Sequence, residues 1–211
     1  MKYTHIVWDF NGTLLDDVEV GILAVNRMLQ KRGIPTVADA QEYRRVFCFP
    51  IQEYYRAIGF DFSVEPYEVL APEWVANYRE FEHTARVYPQ AEAWLSRFAQ
   101  SGVKQVLLSA TERSMLIEQV KALRLDGYFC RIYGLDNIHA HSKKSLAEAF
   151  RCEHPDAVPL LIGDTLHDAE AAEAMGADCV LFCGGHQSRE RLARTGLPVI
   201  SDFSELAQFL T

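Results

Sequence analysis

Two aspartates and a serine stand where short apolar runs end, with a third aspartate close behind, and residues of these types at such places define a narrow chemistry. Asp9 follows Ile6-Val7-Trp8, Ser109 follows the run from Val103 to Leu108, and Gly163-Asp164 follows Val158 to Ile162. Asp168 comes one helical turn after Asp164, on the same face of a predicted helix. A single aspartate after a strand is most often a turn former or a helix cap. In an open α/β sheet, however, ligands bind outside the carboxyl ends of the strands, and three predicted strands here end in polar side chains. Ionised carboxylates about 4 Å apart repel by roughly 4 kcal/mol at an effective dielectric near 20, so a cluster of them needs a cation or must take up protons. Hard oxygen donors of this kind suit a hard divalent cation such as magnesium.

The elements that must position these residues follow from the pattern of the chain. Gly12 lets the backbone turn sharply behind Asp9, so that main-chain groups face the same spot as its carboxylate. Val18, Ile22, Val25 and Leu29 recur at helical spacing and Gly33-Ile34-Pro35 ends that helix. Up to about Thr84 there follow aromatic-rich helical segments (Tyr43 to Phe47, Ile51 to Ile58, Tyr67 to Phe81), punctuated by Pro50, Gly59, Pro66 and Pro72 and without a strand. From Pro89 helices and strands alternate: strands at Val103 to Leu108, Phe129 to Tyr133, Val158 to Ile162, Cys179 to Phe182 and Val199-Ile200. The helices between them carry Trp94 and Leu95, Leu116 and Val120, a segment capped by Ser142 and running through Phe150, Ala172 and Met175, a stretch from Ser188 to Arg194, and a closing helix with Phe203 and Leu206. This rhythm predicts an α/β fold with a mainly parallel, Rossmann-like sheet covered on both faces, plus an inserted all-helical subdomain.

Composition bounds the partners. The chain has 211 residues, 49% of them hydrophobic, enough for a sizeable core, and its formal net charge is -8. That balance argues against a nucleic-acid or anionic-membrane surface, and any anionic substrate needs local positive charge. Five cysteines without a Cys-x-x-Cys pair read as reduced thiols packed like small apolar residues. The first residues read as a strand rather than a signal peptide, and no apolar run reaches membrane length, so a cytoplasmic protein is expected. Nothing in the sequence specifies an oligomeric state.

The hexapeptide Asp9-Phe10-Asn11-Gly12-Thr13-Leu14 resembles the first motif of the haloacid dehalogenase-like superfamily, Asp-x-Asp-Gly-Thr-Leu, with Asn11 in place of the second aspartate. Ser109 in Leu-Leu-Ser-Ala-Thr resembles the second motif, and Gly163-Asp164-Thr165-Leu166-His167-Asp168 the Gly-Asp-x-x-x-Asp form of the fourth. The third is a lysine at the start of the preceding helix; Lys143 and Lys144 both fit, and Lys143 is preferred because Ser142-Lys143 begins that helix. The resemblance takes in the whole chain and, through the helical insertion, points to the phosphoglycolate phosphatase-like branch. It implies a core of residues 1–15 and 85–211 and a cap of 16–84 that closes over the site and selects substrates. By the same resemblance Asp9 is the nucleophile, Ser109 with Ala110 and Lys143 binds phosphate, and Asp9, the Asn11 carbonyl, Asp164 and Asp168 hold magnesium. The substrate is then a small phosphorylated metabolite, with Asp16 and Asp17 as hinge or helix-cap residues.

Asn11 alters the expected chemistry. In the family's phosphatases the first aspartate forms an aspartyl-phosphate, and the residue at position 11 protonates the leaving group and then activates water, which an asparagine cannot do. Acid–base catalysis is worth about 10² to 10⁴ in rate, so hydrolysis is expected to be slowed. Two relatives also lack that aspartate: the metal-free 2-haloacid dehalogenases, and the phosphonoacetaldehyde hydrolases, which use a cap lysine. Asp164 and Asp168 argue against the first, and Lys31, the one lysine of the insertion, sits in an ordinary helix-ending context against the second. A magnesium-dependent phosphomonoesterase of reduced efficiency is therefore the expectation, with a metal-binding relative of little turnover as the alternative. His167 is the other candidate proton carrier within a motif; His83, His139, His141 and His186 show no zinc-site spacing and read as structural.

Overall fold

The computed structural model describes residues 2–138 and 143–210. Its centre is a parallel six-stranded sheet built from β1 (His5–Trp8), β4 (Lys104–Glu112), β5 (Arg131–Leu135), β6 (Pro159–Gly163), β7 (Asp178–Phe182) and β8 (Val199–Ile200), in the order β5-β4-β1-β6-β7-β8. β1 therefore lies in the middle, between β4 and β6, with Trp8 paired to Leu107 on one side and Ile162 on the other. Asp9 directly follows β1 and Asp164 directly follows β6, while Ser109 lies within β4 just beyond its last pairing with β1.

The strand residues alternate strictly between two cores, as the two-residue period of a pleated strand requires. Ile6, Trp8, Leu107, Leu160, Ile162 and Val180 face one layer, made by α5 (Pro89–Ser101), α6 (Arg113–Ala122) and the closing 3-10 helix Phe203–Phe209. Val7, Val106, Leu108, Leu161, Cys179 and Leu181 face the other, made by α7 (Lys144–Glu153), α8 (Leu166–Met175) and α9 (Arg189–Leu192). With no face left for water, the strands read as continuous apolar runs, which is why they were legible.

The helical insertion comprises α1 (Val18–Lys31), α2 (Ala40–Val46), α3 (Ile51–Ala57) and α4 (Tyr67–Phe81). Ile22, Val25, Met28 and Leu29 of α1 pack with Tyr43, Tyr54, Tyr55, Tyr67 and Leu70 in a third apolar cluster of its own. The opposite side of α1, through Val20 and Ala24, joins the sheet's core. Where the chain enters and leaves the insertion, β2 (Leu15–Asp16) pairs antiparallel with β3 (Arg86–Val87).

Several elements differ from the sequence expectation. The β2–β3 ribbon was not expected, because two residues per strand carry no periodicity. Pro72 lies inside α4 without ending it. β4 runs on past Leu108 to Glu112, with a register shift against β5 between those two residues, and β5 itself starts two residues later than Phe129. The stretch after Ser188 is a short α-helix followed by 3-10 turns, and the closing helix is 3-10 throughout. Cys130 and Cys152 are exposed rather than packed, and only Cys179 is fully buried. The expected Ser142 cap, His139 and His141 lie outside the described residues.

Candidate active site

The backbone brings Asp9, Asp164 and Asp168 together because glycines clear the space. A Cβ at Gly12, which has φ +74°, would stand 2.3 Å from Asp164 Oδ2, and one at Gly163 would stand 2.3 Å from Asp168 Cγ. The three carboxylates are buried, with one ligand atom of each lying within 4.8 Å of the others. Lys143, only 3% exposed, sends its ammonium into the cluster, bonded to Asp9 Oδ1 and, at 2.7 Å, to Asp168 Oδ1. Lys144 is exposed, so between the two lysines the fold turns Lys143 inward. Asp168 Oδ2 accepts from the Thr165 hydroxyl at 2.7 Å and from the backbone N–H groups of Thr165 and Asp164 at 3.0 and 3.2 Å, a capping box at the start of α8. Asp164 accepts from the Thr13 hydroxyl at 3.1 Å and from the backbone N–H of His186 at 2.5 Å.

The charges do not cancel among themselves. Burial pushes Asp9 well above the usual carboxylate range, Asp168 adds to the push, and Lys143 opposes it. Burial likewise raises Asp164. Burial would raise Asp168 too, but Lys143 beside it outweighs that and holds its carboxyl below the ordinary value. Three buried carboxylates against one ammonium leave a deficit of positive charge, and the donors are all hard oxygens. The residues thus fit a divalent cation such as magnesium.

Ser109, 1% exposed, lies at the register shift of β4, where its Oγ accepts from the backbone N–H of Thr111 and donates to the Thr111 hydroxyl, both at 3.1 Å. Asp9, Asn11, Ser109, Ala110, Thr111 and Lys143 all line one cavity between sheet and insertion.

The pattern described by the haloacid dehalogenase-like hydrolases matches residues 6–182. The chain belongs to this family. Among relatives, it is 27% identical to a phosphoglycolate phosphatase of Pseudomonas putida over 95% of this chain and 77% of that one. It is also 27% identical to a 5'-nucleotidase of Pseudomonas aeruginosa over 100% of this chain and 96% of that one. Among solved structures, the crystal structure of a predicted phosphatase from Clostridium acetobutylicum superposes with a TM-score of 0.78 at 22% identity, covering 100% of this chain and 99% of the other.

In this member of the haloacid dehalogenase-like family the Asn11 side chain is engaged at both ends. Asn11 Nδ2 donates to Asp17 Oδ2 at 2.7 Å and to the Tyr78 hydroxyl at 3.0 Å, while its Oδ1 accepts from the Thr111 hydroxyl at 2.7 Å. Asp17 occupies the N-cap position of α1, yet its side chain makes no capping bond. It turns into the site instead, accepting from Gly12 N at 2.8 Å, from Tyr78 Oη at 2.7 Å and from His186 Nε2 at 3.3 Å. Burial alone would raise Asp17, but His186, Tyr78 and Asn11 hold its carboxyl below the ordinary value. Burial alone would lower His186, and Asp17 outweighs it, raising the imidazole. Asp16, by contrast, is exposed and accepts from Tyr88 Oη at 3.0 Å.

Asp17 and His186 are the site residues that sequence reading missed. His186 follows the Gly184-Gly185 turn at the end of β7, so the strand-end rule that found Asp9 and Asp164 also reaches it. His167 is 3% exposed but does not line the cavity; its Nε2 accepts the Lys143 backbone N–H at 3.0 Å, and burial pushes its pKa down to about 4. It stays neutral and steadies the backbone of Lys143. His83 is on the surface against the Glu80 carbonyl, and Lys31 pairs with Glu73 away from the cavity.

Proposed function

We propose that the protein hydrolyses small phosphomonoesters through a phosphorylated Asp9, with magnesium required and with efficiency reduced by Asn11. One observation carries the reading: a buried carboxylate at the tip of the central strand, held by the Lys143 ammonium, with the Ser109 hydroxyl on the adjacent strand and an open cavity in front. Asp9 attacks phosphorus, the P–O bond to the alcohol breaks, and water later releases phosphate and regenerates the carboxylate. Lys143 and Ser109, with the backbone at Ala110, hold the phosphoryl oxygens in line with Asp9. Asp9, Asp164, Asp168 and the Asn11 backbone carbonyl would hold magnesium, which would supply positive charge to the phosphoryl group. Asp168 orients Lys143 and the start of α8 through its two oxygens. The helices of residues 16–84 act as the cap, and the β2–β3 ribbon is their hinge.

The alcohol needs a proton on leaving, and the amide at position 11 has none to spare. A second reading, a metal-binding protein with little turnover, is favoured by the same fact: Asn11 spends its side-chain nitrogen on Asp17 and Tyr78 and its side-chain oxygen on Thr111. A panel of small phosphate esters with and without magnesium decides between them. Magnesium-dependent phosphate release that disappears in Asp9→Asn supports the hydrolase; no release from any ester above background turns the choice to the binding protein.

A further inference from the structure

The loop that follows β7 lies between the insertion and the carboxylate cluster, and consecutive residues from Gly184 to Gln187 divide their polar groups between the two. The carbonyls of Gly184 and Gly185 face α2, where Arg44 donates to them from Nη2 at 2.9 Å and from Nε at 2.7 Å. The backbone N–H of His186 faces the other way and donates to Asp164 Oδ2 at 2.5 Å. The His186 ring meets the Tyr43 hydroxyl of α2 through Nδ1 at 3.0 Å. Gln187, 1% exposed, accepts from the Leu166 N–H at the start of α8 at 2.9 Å and donates to the Phe47 carbonyl at 3.4 Å.

A single peptide group joins the two sides. The carbonyl of Gly185 and the N–H of His186 belong to one planar amide, so Arg44 and Asp164 are bonded to its opposite ends. An amide polarised by a cation at its oxygen donates more strongly through its N–H. The approach is too close for any side chain: a Cβ at Gly185 would stand 2.2 Å from Asp164 Oδ2 and 2.4 Å from the Gly12 carbonyl oxygen. Arginine suits its place because its rigid fork spans two successive carbonyls, which the point charge of a lysine does not reproduce. Arg44 does not line the cavity, and its Nε and Nη2 are both committed to this loop.

We infer that Arg44 couples the docking of α2 to magnesium binding at Asp164, acting through the Gly185–His186 peptide. This rests on the proposed magnesium site and adds to it a positioning residue from the insertion. With Arg44 docked, the peptide is anchored and its N–H holds the Asp164 carboxylate; without that anchor the loop loosens and the carboxylate is less well oriented. The coupling is reciprocal, so whatever docking adds to magnesium affinity, magnesium adds to docking. A plain charge effect has the opposite sign. A guanidinium near a cation site repels the cation, and removing it would tighten magnesium binding if Arg44 acted through charge alone.

The test is calorimetric titration of magnesium chloride, without substrate, into the wild type, Arg44→Gln and Arg44→Lys, with melts to confirm that each variant is folded. Loss of a direct outer partner of a metal ligand weakens binding by about 10- to 100-fold, and Arg44 is one bond further away, so both variants are expected to bind magnesium about three- to ten-fold more weakly. Arg44→Lys keeps the charge and loses the fork, which separates positioning from electrostatics. Magnesium is also expected to slow hydrogen exchange of the α2 amides in the wild type and to leave it unchanged in Arg44→Gln. Wild-type affinity in both variants, with a lower Tm, would make Arg44 a structural tie alone and overturn the inference. Tighter binding by Arg44→Gln, with wild-type affinity in Arg44→Lys, would replace it by a charge effect. Wild-type exchange in α2 that ignores saturating magnesium overturns it even if neither variant folds. A wild type that binds no magnesium overturns the inference together with the metal site, whereas absent turnover with the affinities split as expected rejects the hydrolase and keeps the coupling.

Discussion

Asn11 and Asp17 form a donor–acceptor pair across the entrance of the helical insertion, the amide N–H of one donating a hydrogen bond to the carboxylate of the other at 2.7 Å. Tyr78 of α4 donates to the same carboxylate oxygen, and Thr111 of β4 donates to the other end of the amide. The sheet, the start of α1 and α4 of the insertion thus meet on one side chain whose chemistry is fixed by its neighbours. An aspartate at position 11 would face a buried carboxylate; an asparagine there faces an acceptor it can satisfy.

Asp9→Asn is expected to remove phosphate release while leaving the fold intact. An amide is a far poorer nucleophile than a carboxylate, and the change removes one charge from a buried cluster that has too little positive charge. Without magnesium the variant's Tm should equal or exceed that of the wild type. Steady-state release assays and circular dichroism melts read both effects; undiminished turnover would reject the mechanism, and a large drop in Tm would reject the electrostatic account.

Magnesium is expected to raise Tm, and more at pH 8 than at pH 5. Burial raises the folded-state pKa of Asp9, so in the metal-free protein ionising it costs stability, which declines as pH rises from the unfolded value near 4 through that raised value. The cation relieves this cost and requires the deprotonated form. At a hundred times its Kd it adds about 2.7 kcal/mol, or roughly 5 to 10 °C for a chain of this size. Asp164→Asn should abolish most of the gain. A wild-type Tm indifferent to millimolar magnesium at pH 8 would count against the site.

The pair Asp17–His186 gives a second pH signature. Asp17 is held below its ordinary value, so its contribution is present above about pH 4 and is lost as pH falls through the folded value; His186 is raised, so its contribution is present below about pH 6.5 and is lost as pH rises through its folded value. The pair therefore stabilises most between those limits. His186→Gln is expected to lower Tm most near pH 5 to 6, with the difference narrowing towards pH 9. A difference constant across that range would mean that His186 contributes packing alone.

How much of this was legible in the sequence depended on whether the signal was local. Asp9, Ser109 and Asp164 each follow an apolar run buried on both faces, so the strand and its polar end were visible together. Lys143 was preferred over Lys144 because it begins the predicted helix, and in the fold it is the N-cap of α7 and buried while Lys144 is exposed. The ribbon joining Leu15 to Val87 was invisible, since its partners are remote in the chain and two residues long. Asp17 read as a helix cap because its position is a cap; that its carboxylate turns towards Asn11, Tyr78 and His186 is set by the docking of α4 and of the β7 loop, which no local pattern encodes.

The same pair changes what a repair of the motif should do. On sequence alone Asn11→Asp is nearly isosteric and should raise kcat by about ten-fold or more, the lower part of what acid–base catalysis supplies. In the structure it would set two buried carboxylates against each other, and they would have to share a proton or part. Asn11→Asp alone is therefore expected to lower Tm by several degrees and to gain little at pH 8, where the shared proton is lost. Asn11→Asp combined with Asp17→Asn reverses donor and acceptor, keeps the bond, and places a single carboxylate at position 11, from which the leaving group can be protonated. At pH 8, where the Asp17–His186 pair contributes less, the double variant should recover most of the Tm that Asn11→Asp loses and show the ten-fold or greater rise in kcat. Melts and phosphate-release rates for the four proteins of this cycle give the coupling directly. Equal gains in the single and double variants, with Tm unchanged in both, would show that Asp17 does not constrain the chemistry of position 11.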